Sequence, residues 1–292
     1  MAPDSRERPV IVGHDGTAGG DDAIALGSLL ADLLGVSIGV VCVHPYAPLS
    51  ARIGRDGWAA MNAEEARCAL DRARERLAGR EGATFRRMAA STPALGLDLA
   101  AEETDAELIV VGSTGRGALG RLFAGTTAEQ LSTHAHRPVA VAPAGYASRR
   151  SGARVVGVAY DDGGDSRRAL DFAARLSTGA GTPLRLIGAF DPAACDGPAS
   201  ERTYGAPPGV DAARAWFRRR LEKVARELPD ADARLVEGRP AVALAAASGE
   251  LDVLVMGSHG RGTVQRALLG SVCSEVIDRA SCPVIVVPRG AT

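Results

Sequence analysis

The sequence predicts an α/β protein built from two tandem doubly wound domains, each a five-stranded parallel sheet flanked by helices. Three observations predict it. A glycine-rich block occurs twice at a fixed spacing, β-branched runs alternate with helical periodicities in both halves, and those runs are apolar throughout rather than at every second residue. Continuous apolar strands are buried on both faces, as in a parallel sheet covered by crossover helices.

The repeat comes first, because a duplicated unit sets the domain count. Gly112-Ser-Thr-Gly115-Arg-Gly117 returns 145 residues later as Gly257-Ser-His-Gly260-Arg-Gly262. Gly125-Thr126 and Gly270-Ser271 keep the same offset, as do Pro138 and Pro283, and Pro143 and Pro288. Asp15 pairs with Asp161 at 146, and Thr92-Pro93-Ala94 with Arg239-Pro240-Ala241 at 147. This small drift falls in loops, where insertions cost little. The join is the polar stretch from Ala144 to Gly152, giving expected domains of 1–147 and 148–292.

Within the first copy, Val10–Gly13 reads as a short strand and Asp15-Gly16-Thr17 as its turn. Ala23, Leu26, Leu29, Leu30 and Leu33 then recur at helical spacing until Gly35 stops the helix. Ser37–Val43 is the second strand, followed by a helix through Ala59 to Leu77 and a weak strand near Thr84–Arg86. A helix from Pro93 to Glu103, the strand Leu108–Val111, the glycine loop, a helix through Ala128 to Ala135 and the strand Val139–Val141 complete the copy. The second copy predicts strands at Val155–Val158, Leu184–Gly188, Asp232–Val236, Val253–Val255 and Val284–Val287. The stretch 191–209 carries four prolines and three glycines without periodicity. It is expected to be a loop that covers the second site, contacts a partner or merely links.

Composition removes several classes of function. Net charge is −1, so no global basic field recruits nucleic acid or anionic lipid. Lys223 is the only lysine and reads as the outer face of a helix. That removes a Walker-type phosphate loop, a Schiff-base lysine and a kinase-type strand lysine. Five cysteines form no Cys-x-x-Cys pair and suit a reducing compartment. Met1–Pro9 lacks the apolar core of a signal peptide, and no apolar run is long enough for a membrane span. The expected location is the cytoplasm. The histidines His14, His44, His134, His136 and His259 show no metal-ligand spacing, so no metal site is assigned. His134 and His136 are expected to end a helix.

Each glycine loop leaves a strong strand and reads Gly-x2-Gly-x9-Gly-[Ser/Thr], with Gly112, Gly115, Gly125 and Thr126 in one copy and Gly257, Gly260, Gly270 and Ser271 in the other. Glycines allow close backbone approach, so that amide N–H groups converge on a phosphate. The final Gly-[Ser/Thr] opens a helix, whose unpaired amides and dipole favour an anion. The competing reading is tight turns and packing alone.

On these motifs the chain resembles a tandem universal stress protein of the ATP-binding branch. The resemblance implies ATP in each copy, with adenine between the first two strand ends, ribose near the first glycines and phosphates along the loop. Carried over position by position, it assigns Asp15, Val43, Gly112, Thr114, Gly115, Gly125, Thr126 and Thr127 in the first copy. In the second it assigns Asp161, Ala189, Gly257, His259, Gly260, Gly270, Ser271 and Val272. Gly13, Arg116 and Arg261 complete the candidate nucleotide set. Where the family reads Asp-Gly-Ser after the first strand, this chain reads Asp15-Gly16-Thr17 and then Asp161-Asp162-Gly163. The added Asp162 carboxylate is expected to repel a triphosphate, weakening the second site, or to help hold a magnesium ion.

The resemblance implies a non-catalytic ATP-binding stress regulator, with domains pairing through their last strands and a homodimeric assembly. The alternatives are a slow ATPase or phosphotransferase using Asp15 or Asp161 to position a metal, and a nucleotide-free interaction module. Gly163-Gly164-Asp165-Ser166 echoes the loop of adenylating enzymes but is shorter and has no counterpart in the first copy. Cys273 falls in a first helical turn, where a thiolate is favoured; the simpler reading is a small buried residue. Arg218-Arg-Arg220 reads as a solvated helix face.

Overall fold

The computed structural model of the protein describes residues 8–45, 56–113, 126–149, 154–195, 209–258 and 270–289. The chain divides into two compact units, Met1–Ser151 and Gly152–Thr292. Each is an α/β domain with an all-parallel sheet among the described strands.

The first unit runs β1 (Val10–Gly13), α1 (Ala18–Leu34), β2 (Ile38–Pro45), α2 (Asp56–Arg76), β3 (Thr84–Ala90), α3 (Pro93–Glu103), β4 (Leu108–Gly112), α4 (Thr126–His134) and β5 (Val139–Ala142). Its strand order is β3-β2-β1-β4-β5. The second runs β6 (Val156–Ala159), α5 (Gly164–Ala180), β7 (Leu184–Phe190), α6 (Val210–Arg226), β8 (Ala231–Glu237), α7 (Pro240–Ala247), β9 (Val253–Gly257), α8 (Ser271–Arg279) and β10 (Val284–Val287). Its order is β10-β9-β6-β7-β8. In each, the chain winds outward in one direction and then returns to wind in the other. The reversal falls between β1 and β4, and between β6 and β9, and opens a crevice at the carboxyl ends of those strands.

Burial explains which strands the sequence announces. Val10, Val12, Leu108, Ile109 and Val110 are wholly buried in the first sheet, as are Val156, Val158, Val253, Leu254 and Val255 in the second. β3 and β8 lie at the outer ends of this order, and all their residues but Ala90 are at least partly exposed. Their apolar signal is correspondingly weak.

Helix ends follow local chemistry. Thr17 caps α1 by accepting from the Gly20 amide, and Gly35 ends it at φ 66°, the left-handed region that glycine enters freely. Thr92 caps α3 and Pro93 starts it, where a missing N–H costs nothing. Among the described residues no helix is long and apolar enough to cross a membrane. His134 is the last residue of α4, with His136 two positions beyond. Lys223 is exposed on α6.

Each unit fastens the segment after its last strand to its first helix. In the first, the Asp22 carboxylate, 4% exposed, accepts the amides of Gly145 at 2.8 Å and Ala147 at 2.7 Å. In the second, Arg289 Nε donates to Asp165 at 3.0 Å.

Candidate functional site

The crevice of the second unit contains a cavity of about 460 Å3, within the range of small-molecule sites. Its base is apolar, from Ile187, Leu221, Leu235, Leu244 and Met256, and its rim is polar, with Asp161, Ser166, Arg220 and Ser271. Six sequence candidates meet there: Asp161, Ala189, Gly257, Gly270, Ser271 and Val272.

Their placement follows from the sheet. β6 pairs with β7 up to Ala159 and Ile187, and Tyr160 N donates to the Ile187 carbonyl at 2.9 Å. β7 continues past that point, so Ala189 lies beyond its pairing with β6. The first unit repeats this. β1 pairs with β2 up to Gly13 and Val41, His14 N donates to the Val41 carbonyl at 3.1 Å, and Val43 lies two residues farther on. Val43 and Ala189 therefore hold equivalent places, each two residues past the last pair.

Asp15 and Asp161 organise the turns after β1 and β6. Asp15 accepts the Thr17 amide at 3.0 Å and the Thr17 hydroxyl at 2.6 Å, and Asp161 accepts the Gly163 amide at 2.8 Å. Both carboxylates thus hold loop backbone at the mouth of a crevice. Behind the first, buried His14 accepts the Gly16 amide at 3.3 Å through Nδ1, while its Nε2 lies 3.4 Å from Asp21.

Gly112 and Gly257 end β4 and β9. A Cβ on Gly112 would lie 1.9 Å from the Gly19 carbonyl oxygen, and one on Gly257 would lie 2.7 Å from the Asp165 carbonyl carbon. Gly19 and Asp165 are equivalent residues in the opening turns of α1 and α5. Both glycines have a packing reason that needs no ligand, and it stands beside the nucleotide reading at these two positions. Thr126 and Thr127 open α4. Gly270 precedes α8, with no side chain capping that helix, and Gly270, Ser271 and Val272 at this helix start line the cavity. Thr114, Gly115, Arg116, Gly125, His259, Gly260 and Arg261 lie outside the described residues, as do 196–208 of the long segment after β7. The start of that segment forms a short 3-10 turn, Pro192–Cys195.

Two residues have partners that the sequence reading does not name. The Asp162 charge is paired within its own domain. Its carboxylate receives Tyr160 Oη at 3.1 Å, Arg167 at 2.8 Å and Arg220. No group of three or more metal-ligating side chains occurs among the described residues. Arg218, Arg219 and Arg220 are all exposed, as a solvated face requires, and Arg220 in addition lines the cavity with its guanidinium 4.7 Å from the Trp216 ring centroid. Trp216 and Phe217 also line the cavity and meet edge to face at 5.0 Å. The sequence carried a usable signal for this wall, two aromatics directly before the arginine run.

Cys273 is a buried packing residue. Its thiol donates to the Gly257 carbonyl at 3.0 Å, and burial with the nearby Asp165 charge pushes its pKa up to about 12. A thiolate is disfavoured there despite the helix start.

Comparison with known proteins agrees with this architecture. The chain matches the universal stress protein family over residues 7–143 and again over 152–288. A universal stress protein of Mycolicibacterium smegmatis is 28% identical, the alignment covering 99% of this chain and 100% of that protein. One of Mycobacterium tuberculosis is 29% identical across 98% of this chain and 99% of its own. The crystal structure of a universal stress protein from Archaeoglobus fulgidus superposes with a TM-score of 0.71 at 22% identity, covering 97% of this chain and 99% of that one. With two consecutive matches spanning nearly its whole length, this chain belongs to the universal stress protein family.

Proposed function

We propose that the chain is an ATP-binding regulatory protein with one nucleotide site in each of two domains, 1–147 and 148–292. The observation that carries this reading is the cavity at the carboxyl ends of β6, β7 and β9, where six sequence-derived nucleotide positions converge. The residues present fit the ligand chemically. An apolar base accommodates a purine, and a helix start without a side-chain cap offers amides to a phosphate. Ser271, at the first position of α8, adds a hydroxyl at the same edge. Magnesium would accompany the phosphates of the nucleotide.

The role is binding rather than turnover. The single lysine is exposed on α6, so the cavity gains no ammonium group from it.

Calorimetry and thermal unfolding with ATP, ADP and AMP in millimolar magnesium test the proposal. Ligand that binds only the folded state stabilises it by about 2.7 kcal/mol at a hundredfold excess over Kd. Absence of both heat and thermal shift with all three nucleotides would remove it. Native mass spectrometry of the purified protein identifies any nucleotide it carries.

A further inference from the structure

Equivalent arginines brace the same loop in the two domains through different chemistry. Arg72 of α2 donates to the Gly16 carbonyl at 2.7 Å. Arg220 of α6, 148 residues later, pairs instead with the side chain of Asp162, the residue equivalent to Gly16. The loop backbone is alike in both, with Gly16 at φ 79° and Asp162 at φ 65°. Left-handed backbone favours glycine and tolerates aspartate. The second domain thus keeps the turn and adds a carboxylate that draws the arginine across the cavity rim.

We propose that Arg220 is the anion-recognition residue of the second site, exchanging the Asp162 carboxylate for the phosphate of the bound ligand. The inference rests on the nucleotide reading above and extends it to a residue that the glycine motif does not contain. Arg220 is the one basic side chain among the described residues lining the cavity. Its side chain is 48% exposed, and ion pairs so wetted contribute little and exchange readily. Asp162 keeps Arg167 at 2.8 Å and Tyr160 Oη at 3.1 Å when Arg220 leaves, so no carboxylate is stranded. A guanidinium is suited to the incoming group, since its fork binds phosphate oxygens two at a time. Trp216, under the guanidinium at 4.7 Å, feels the exchange directly.

The chain has two tryptophans, so Trp58→Phe leaves Trp216 as the sole reporter. ATP and adenosine are titrated into this full-length parent by fluorescence and by calorimetry. ATP is expected to change Trp216 emission. Arg220→Gln is expected to weaken ATP at the second site at least tenfold and adenosine less than twofold. Asp162→Asn, which removes the competing charge, is expected to tighten ATP severalfold. These opposite signs separate ligand recognition from mere bracing, which would make both variants weaker. Unchanged ATP affinity in Arg220→Gln overturns the proposal, as does weakening in both variants, or ATP heat without any change in Trp216 emission. If Arg220→Gln loses its native circular dichroism, Asp162→Asn decides alone, and unchanged or weaker affinity overturns the proposal. Failure of the parent to bind either ligand overturns the nucleotide reading itself, an outcome distinct from ATP binding that ignores Arg220.

Discussion

Arg72 reaches from α2 to the carbonyl oxygen of Gly16 at 2.7 Å, closing the β1–α1 turn against a helix 56 residues farther along the chain. Gly16 leaves room for this contact, since even an added Cβ would touch Ala69 and the Arg72 guanidinium at ordinary distances. The contact is exposed, which limits its worth to about 0.5–1 kcal/mol. Arg72→Ala is expected to lower the melting temperature by about 1–4 °C, measured by circular dichroism. An unchanged melting temperature would show that water replaces the guanidinium fully.

The glycines of the loop motif are expected to fall into two groups. Gly112→Ala drives a Cβ into the Gly19 carbonyl, a backbone atom that cannot swing aside. It is expected to destabilise the first domain by about 3 kcal/mol or more, read by urea unfolding. Gly115→Ala combined with Gly260→Ala is expected to leave stability nearly unchanged and abolish nucleotide binding, read by calorimetry. Equal effects of the two variants on unfolding would merge the groups.

Buried thiols make the second domain sensitive to alkali. Burial and nearby carboxylates raise Cys273 and Cys282 from 9.0 to about 12. The folded state therefore holds these protons after the unfolded chain has released them. Stability is fully present below pH 9 and is lost as pH rises from there toward 12, by up to about 1.4 kcal/mol per pH unit for each thiol. Replacing both by alanine is expected to flatten that fall in unfolding curves collected between pH 8 and 11. In the native protein at pH 8, iodoacetamide is expected to label exposed Cys68 and to spare Cys42, Cys273 and Cys282.

Asp22 offers a test of local fastening. Its buried carboxylate accepts the backbone amides of Gly145 and Ala147. Asp22→Ala is expected to cost about 2–4 kcal/mol. Hydrogen exchange at Gly145 and Ala147 should rise well above that of the β5 amides; unchanged protection would place the restraint elsewhere.

The sequence made the fold legible because the repeat fixed the domain count and the buried strands advertised themselves. Val10–Gly13, Leu108–Gly112 and Val253–Gly257 are covered on both faces, so their apolar runs are unbroken. β3 and β8 are half-exposed, and only part of each could be read. Asp161, Gly270 and Ser271, which line the cavity, could be named from the motif alone. The cavity wall was not, because Trp216 and Arg220 sit on a helix whose spacing to the motif the repeat does not constrain. Arg220 looked like one of three equivalent cations; it is exposed as the other two are, but it alone of the three lines the cavity. Asp162 looked like an isolated charge because its partners come from three separate places, Tyr160, Arg167 and Arg220.

The two ways of fastening the segment after the last strand carry different tolerances for change. In the first domain one carboxylate holds two main-chain amides, which every residue but proline supplies. The side chain at 147 is free to drift through mutation as long as Asp22 stays, whereas position 145, at φ 75°, favours glycine. In the second domain the restraint joins Asp165 to Arg289 through their side chains, so altering either end breaks it. The two domains thus hold the same segment through one tie that depends on a single side chain and one that depends on a matched pair.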